Sequence, residues 1–278
     1  MINLKNTGTL IANLRKSAGF TQASLAAKLG ISDKAISKWE RGIAFPDTSI
    51  LNQLSILLDT DIESIMYGHE QLDDWDGVLI LDTTIPSEIM VYNKPLVHYL
   101  ISQFLLVGIK NIIIVGECIP IELEGVNISI IPRLNYQFTK NIFIIYGNQF
   151  IYGPNLTKHF MRAMSRKNIT VIAAMKAKGD YALFVDSDKK AILSDEPSIN
   201  KYYALPYVFD TCSKKVSSFE SVMEKQVNVE TMVRGMVHFR LNNVESVYQM
   251  AGFIKMMEEN TGERIADIRD IIKRRIRV

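Results

Sequence analysis

Apolar residues recur at helical spacing from the N-terminus to about residue 67, and beyond residue 77 they gather into short unbroken runs. The chain therefore divides into a helical segment and a strand-bearing one. Leu10, Ile11 and Leu14 form the inner stripe of an opening helix that ends near Gly19. Thr21 is a good N-cap, and Leu25, Ala26 and Leu29 follow at helical spacing until Gly30 supplies a left-handed turn residue. Ser32 caps the next helix, which runs to about Arg41 with Ile36 and Trp39 inward and Asp33, Lys34, Ser37, Lys38 and Arg41 outward. Pro46 and Asp47 start a fourth helix with Ile50, Leu51, Leu54, Leu57 and Leu58 inside, and Ile62 to Met66 makes a short fifth. These elements predict an all-α five-helix domain over residues 1–70.

The polar, acidic stretch from His69 to Asp76 contains the expected linker, residues 71–76. The runs GVLIL from Gly77, NIIIV from Asn111, NISII from Asn127, NIFIIY from Asn141 and TVIAAM from Thr170 are rich in β-branched residues. Helical patterns at Leu96 to Val107 and Leu156 to Met164 separate some of them. Further strands are expected at Ala182 to Val185, Ala191 to Leu193 and Tyr203 to Phe209, with closing helices at Val244 to Asn260 and Ile265 to Arg275. Alternation of strand and helix predicts an α/β domain over residues 77–278 with a mainly parallel sheet.

Composition narrows the function classes. At 278 residues, 47% hydrophobic and 22% charged, the chain is ordinary for a two-domain globular protein. A net charge of +2 gives no bulk affinity for nucleic acid, so DNA binding must come from local placement of charge. Two cysteines, Cys118 and Cys212, argue against a disulfide scaffold and fit a reducing cytoplasm. No run approaches a membrane span, and the opening residues lack the pattern of a signal peptide, so neither membrane contact nor export is expected.

The segment TQASLAAKLGISDKAISKWERGIAFPD resembles the Cro/phage-repressor-like, XRE-type family of bacterial helix-turn-helix domains, a likeness that spans roughly residues 4–68. The resemblance implies that Gln22 and Ser32 hold DNA phosphates, that Asp33, Lys34 and Ser37 approach base edges, and that Lys38 and Arg41 lie near the backbone. Trp39 is read as core. A helical hairpin that only fills a core would not need this cap, turn and outward polar row together.

The stretch YNKPLVHYLISQFLLVGIKNIIIV from Tyr92 resembles the sugar nucleotidyltransferases, in particular the glucose-1-phosphate thymidylyltransferases. YGNQFIYGPNLT from Tyr146, ILSDEP from Ile192 and the segment from Arg234 to Ile271 agree with that family in order and spacing. The resemblance implies a Rossmann-like sheet and an ancestral condensation of a nucleoside triphosphate with a sugar 1-phosphate. Such chemistry needs phosphate donors, a divalent metal on acidic ligands and positive charge at the transferred phosphorus. None of these survives. The glycine-rich loop is absent after Leu81, and the catalytic lysine position falls on Pro86. The two metal carboxylates fall on Asn148 and Arg240, and the sugar-contacting lysine falls on Glu196. Lys94 alone is retained, beside a helix start where it could be structural.

His69, His98, His159 and His238 are scattered without metal-ligand spacing and read as ordinary histidines, Met256 and Met257 as core filling, and the basic tail from Lys273 as solvated helix charge. The expectation is a cytoplasmic, homodimeric regulator of transcription that binds double-stranded DNA. Its second domain is a non-catalytic nucleotidyltransferase copy, used for dimerisation or for sensing a nucleotide or sugar-phosphate effector, with no cofactor and no metal. Two alternatives stay open: an active sugar nucleotidyltransferase with a DNA-binding appendage, and a protein-interaction platform without a small ligand.

Overall fold

The computed structural model of the protein describes residues 4–58, 60, 62–67, 74–133, 138–175, 180–194, 202–213, 215 and 218–275. The chain forms two compact units, Met1–Gln71 and Leu72–Val278. In the first, α1 (Leu4–Ser17), α2 (Gln22–Leu29), α3 (Asp33–Glu40), α4 (Thr48–Leu57) and α5 (Ile62–Tyr67) enclose one core. Ile11, Leu25, Ile36, Leu54 and Ile65 are fully buried in it, each contributing about 1.5–3 kcal/mol.

The second unit runs β1 (Trp75–Ile80), β2 (Met90–Val91), β3 (Lys94–Pro95), α6 (Leu96–Leu105), β4 (Asn111–Val115), β5 (Asn127–Ile131), β6 (Asn141–Tyr146), β7 (Gln149–Tyr152) and α7 (Leu156–Met164). It continues with β8 (Ile169–Met175), β9 (Ala182–Val185), β10 (Lys190–Leu193), β11 (Tyr202–Asp210), α8 (Phe219–Met223), β12 (Val227–Thr231), β13 (Val237–Arg240), α9 (Val244–Thr261) and α10 (Ile268–Arg275). Strand β1 takes in Trp75 and Asp76, the last two residues of the stretch read as linker, because both pair in register with β6 and Asp76 also with β4.

The large sheet has nine strands in the order β5-β4-β1-β6-β11-β8-β12-β10-β9. The first four are mutually parallel. Strand β11 then runs antiparallel to both β6 and β8, and β9 pairs with β10 and again with β11. Strands β11, β8, β12, β10 and β9 thus close into a small barrel. The expectation of a mainly parallel sheet is corrected: the sheet is mixed, and only the β8–β12 pair is parallel within the barrel. An apolar β-branched run identifies a buried strand, but it carries no information about the direction of its neighbours. Pro206 lies where the β11–β8 register shifts, between Leu205 and Val208, a position that tolerates a residue with no N–H to donate.

Phe143 on β6 stacks on Phe209 of β11 at 4.2 Å and meets Phe104 of α6 and Phe160 of α7 edge-on at 4.9 and 5.2 Å. Gly77 admits α6 to this cluster, since a Cβ there would press into the Phe104 ring. Met256, expected in the core, stands 51% exposed on α9. Its neighbours Met250 and Ile254 take the buried side of that helix instead. No described helix is long and apolar enough to cross a membrane.

Candidate nucleic-acid interface

Local hydrogen bonds set the angle between α2 and α3. Thr21 Oγ1 accepts the Ser24 N–H at 3.0 Å while Ser24 Oγ accepts the Thr21 N–H at 2.8 Å, a reciprocal cap. Gly30 takes φ 67°, which ends α2 and turns the chain, and Ser32 Oγ then accepts the Ala35 N–H at 3.3 Å to open α3. Ile36 and Trp39 face inward, at 0% and 5% exposure. Ser32, Asp33, Lys34, Lys38 and Arg41 are exposed and Ser37 is half-buried, so α3 and its two cap residues bring six of the seven sequence-assigned DNA contacts together. Asp33 Oδ1 accepts the Lys34 N–H at 2.8 Å, and Arg41 Nε donates to the Ser37 carbonyl at 3.2 Å.

Gln22 is placed differently. Its Nε2 donates to Glu40 Oε2 at 2.7 Å, so the amide nitrogen assigned to a phosphate is engaged inside the unit. Glu40 is also gripped by Arg15, Nε to Oε1 at 2.5 Å and Nη2 to Oε2 at 3.2 Å, while Arg15 Nη1 reaches the Phe20 carbonyl at 2.7 Å. The hydrogen bond to Glu40 raises the Arg15 pKa above its ordinary value, against the opposing effect of burial. This network ties α1, the start of α2 and the end of α3 into one body. Sequence reading missed it, although a signal was present: Arg15 extends the inner stripe four residues beyond Ile11, and an ionisable group on an inward position requires a partner.

In the second unit, β4 leaves β1 on one side and β6 joins it on the other. The carboxyl ends of β1 and β6 are thus a topological switch point, where open sheets of this kind place ligands. Two clefts open there and share Asp82. One, of about 560 Å³, is lined by residues including Tyr146, Asp180, Tyr181, Phe219 and Glu220. The other, of about 470 Å³, includes Pro86, Ser87 and Cys118. Burial raises the Cys118 thiol above its usual range. Burial, followed by the bond to Glu220, pushes the Tyr181 hydroxyl up to about 12, and Tyr181 Oη donates to Glu220 Oε1 at 2.7 Å. Burial, then the charges of Asp210 and Glu220, also raises Tyr146.

The positions assigned by resemblance do not converge on a metal or a phosphate. Asn148 is buried, and its Nδ2 donates to the carbonyls of Asp82 and Ile85 at 3.2 and 3.3 Å, clamping the segment that follows β1. Arg240 pairs with Asp180 at the cleft mouth, both side chains largely exposed. Lys94 Nζ donates to the Ile265 carbonyl at 2.7 Å, lies 3.4 Å from Glu258 and sits 5.4 Å from the Tyr99 ring centre, so it fastens the segment between α9 and α10. Glu196 lies outside the described residues. Among the described residues, no three His, Cys, Asp or Glu side chains gather as a metal site would need. The lining acids Asp82, Asp180 and Glu220 were not singled out by sequence reading, since they come from three distant segments that only the sheet assembles.

Residues 11–65 match the model of the helix-turn-helix family, so the N-terminal unit is an XRE-type helix-turn-helix domain. No curated protein matches the chain. Among solved structures, the crystal structure of the restriction-modification controller protein C.AhdI from Aeromonas hydrophila is similar at 24% identity. That similarity covers 22% of this chain and 94% of the other, with a TM-score of 0.21.

Proposed function

We propose that the protein is a DNA-binding transcriptional regulator acting as a homodimer, and that α3 is its reading helix. The exposed row Ser32, Asp33, Lys34, Lys38 and Arg41, backed by buried Ile36 and Trp39, carries this reading. Phosphate contacts set register and base contacts set sequence preference, so Lys34 and Ser37, near the helix start, are assigned to base edges and Lys38 and Arg41 to the backbone. The bond from Gln22 to Glu40 gives Gln22 a supporting part in positioning α3.

Footprinting and competition binding on a two-fold-symmetric site test the assignment. Lys34→Ala with Ser37→Ala is expected to lower preference for the site by about 1–3 kcal/mol per lost base contact, with a smaller loss of total affinity. Lys38→Ala is expected to weaken all sequences alike and to reduce the salt slope by about one counterion. Equal selectivity in the double variant would remove Lys34 and Ser37 from the reading row.

We further propose that the second unit, residues 72–278, is a nucleotidyltransferase-like domain that has left catalysis and serves self-association and effector sensing. Four observations support this. The parallel set β5-β4-β1-β6 ends in a cleft at its switch point, Asn148 spends its amide on two carbonyls, Lys94 on the α9–α10 segment, and Arg240 on Asp180. A carboxylate at position 148 would face those two carbonyl oxygens without a proton to offer them, so Asn148→Asp loses the clamp and gains no activity. The expected outcome is no pyrophosphate release above a no-enzyme control from any pairing of a common nucleoside triphosphate with a sugar 1-phosphate. The double variant Asn148→Asp, Arg240→Asp is expected to be equally silent. Turnover by the wild-type chain would instead favour an active transferase with a DNA-binding appendage.

A further inference from the structure

The larger cleft at the switch point has the wrong charge for a phosphate. Asp82, Asp180 and Glu220 line it, against Arg240, which is already paired with Asp180. His238 also lines the cleft, with its Nε2 held 2.7 Å from Gln149 Oε1. A phosphate or pyrophosphate entering between Asp82 and Glu220 would meet two carboxylates and no glycine-rich cradle.

Four aromatic rings, Tyr146, Tyr181, Tyr203 and Phe219, share the apolar part of the lining with Ala204, Leu205 and Pro206. Phe219 contacts Tyr181 edge-on at 5.0 Å between ring centres and Tyr146 at 5.6 Å, and Tyr181 directs its hydroxyl onto Glu220. The three rings and the carboxylate beside them come from β6, from the residues leading into β9 and from α8, so they line one wall assembled by the fold rather than a surface run of like charge. Aromatic rings and carboxylates together favour a cation with an apolar body, which gains from the ring quadrupole and from the nearby charge. A bare divalent metal is disfavoured, because the carboxylates are not gathered as ligands among the described residues. A volume of about 560 Å³ suits a small molecule.

The geometry points to a site for a small organic ammonium ion in this cleft, held by Tyr146, Tyr181 and Phe219 with Asp82 and Glu220 supplying charge. The inference deepens the reading of the second unit as an effector-sensing domain and rests on it: the effector is a cation, where the family resemblance implies a nucleotide or sugar phosphate.

The test is calorimetric titration of the full-length protein with four probes: choline, putrescine, 3,3-dimethylbutan-1-ol as the neutral isostere of choline, and glucose 1-phosphate. At least one cation is expected to bind with a Kd below about 1 mM, and the neutral isostere at least about tenfold more weakly. Glu220→Gln and Asp82→Asn are each expected to weaken the cation about tenfold while the thermal midpoint stays within a few degrees of wild type. Choline tighter than putrescine assigns a quaternary headgroup, and the reverse assigns a primary amine. Silence of both cations at about 10 mM, equal binding of the isostere, or tighter binding of glucose 1-phosphate overturns the proposal. Operator affinity measured with and without each probe separates the two levels. A cation that binds without changing DNA affinity keeps the site and removes the sensing role, whereas glucose 1-phosphate that binds and changes it keeps the sensing role and removes the cation.

Discussion

The N-terminal unit cut after Gln71 is expected to bind operator DNA about 10² to 10⁴-fold more weakly than the full chain, although it keeps its own core. Residues 1–71 contain as many acidic as basic side chains, and Arg15 is consumed by Glu40. One reading head therefore relies on a few exposed cations, chiefly Lys34, Lys38 and Arg41, and should sit near the non-specific range of about 10⁻⁴ to 10⁻⁶ M. Two heads joined through their second units gain from effective concentration without a new DNA contact. Gel-shift titration of both forms, with sedimentation of the full chain on its operator, reads the effect. Equal affinities, or a monomer on the DNA, would assign the second unit to sensing alone.

The largest stability effect is expected at Glu230 on β12. Its side chain is 2% exposed and bonded to His159 at 2.7 Å and to Arg166 at 3.1 Å, with Arg162 Nε at 3.5 Å. Burial alone would raise its pKa, but the His159 hydrogen bond and the charges of Arg162, His159 and Arg166 together hold it below the usual carboxylate range. Glu230→Gln removes the charge that Arg162 and Arg166 share. Because Arg162 and Arg166 can turn toward solvent, the expected cost is about 3 kcal/mol, the low end for a broken buried ion pair. In a domain of this size that corresponds to roughly 6–12 °C in thermal midpoint, measurable by calorimetry. A depressed folded-state pKa means that the contribution is complete above the unfolded value of about 4.3 and disappears as pH falls through the folded one. The gap between wild type and variant should therefore close in acid. A gap that persists at pH 2 would point to packing rather than charge.

The helix-turn-helix was legible because its signals are local: Thr21 bonds Ser24, Ser32 bonds Ala35, and Gly30 turns the chain between them. Arg15 and Glu40 meet across 25 residues of sequence, and no local rule pairs them. In the second unit the apolar strands could be read, but β12 was missed because Asn228 and Glu230 interrupt its apolar pattern, and the fold places Glu230 inside with His159, Arg162 and Arg166 around it. Strands β7 and β13 hide in the same way behind Gln149, His238 and Arg240. The barrel was invisible, since its closure depends on β9 pairing with two partners. The cleft acids could not be grouped either, because Asp82, Asp180 and Glu220 become neighbours only once the sheet is assembled.

The Arg15–Glu40–Gln22 network bears on how such a regulator can be switched. It joins the helix that supports the motif to both helices of the motif, with the Phe20 carbonyl as a further anchor. Tilting α3 by itself would break several charged hydrogen bonds at once, an expense that modest effector binding cannot meet. The head is rigid on the scale of its own recognition. On the proposed dimeric, effector-sensing reading, control would arrive as a change in the spacing or population of whole heads, so an inducer would alter how often two heads fit one operator while leaving the base preference of each unchanged.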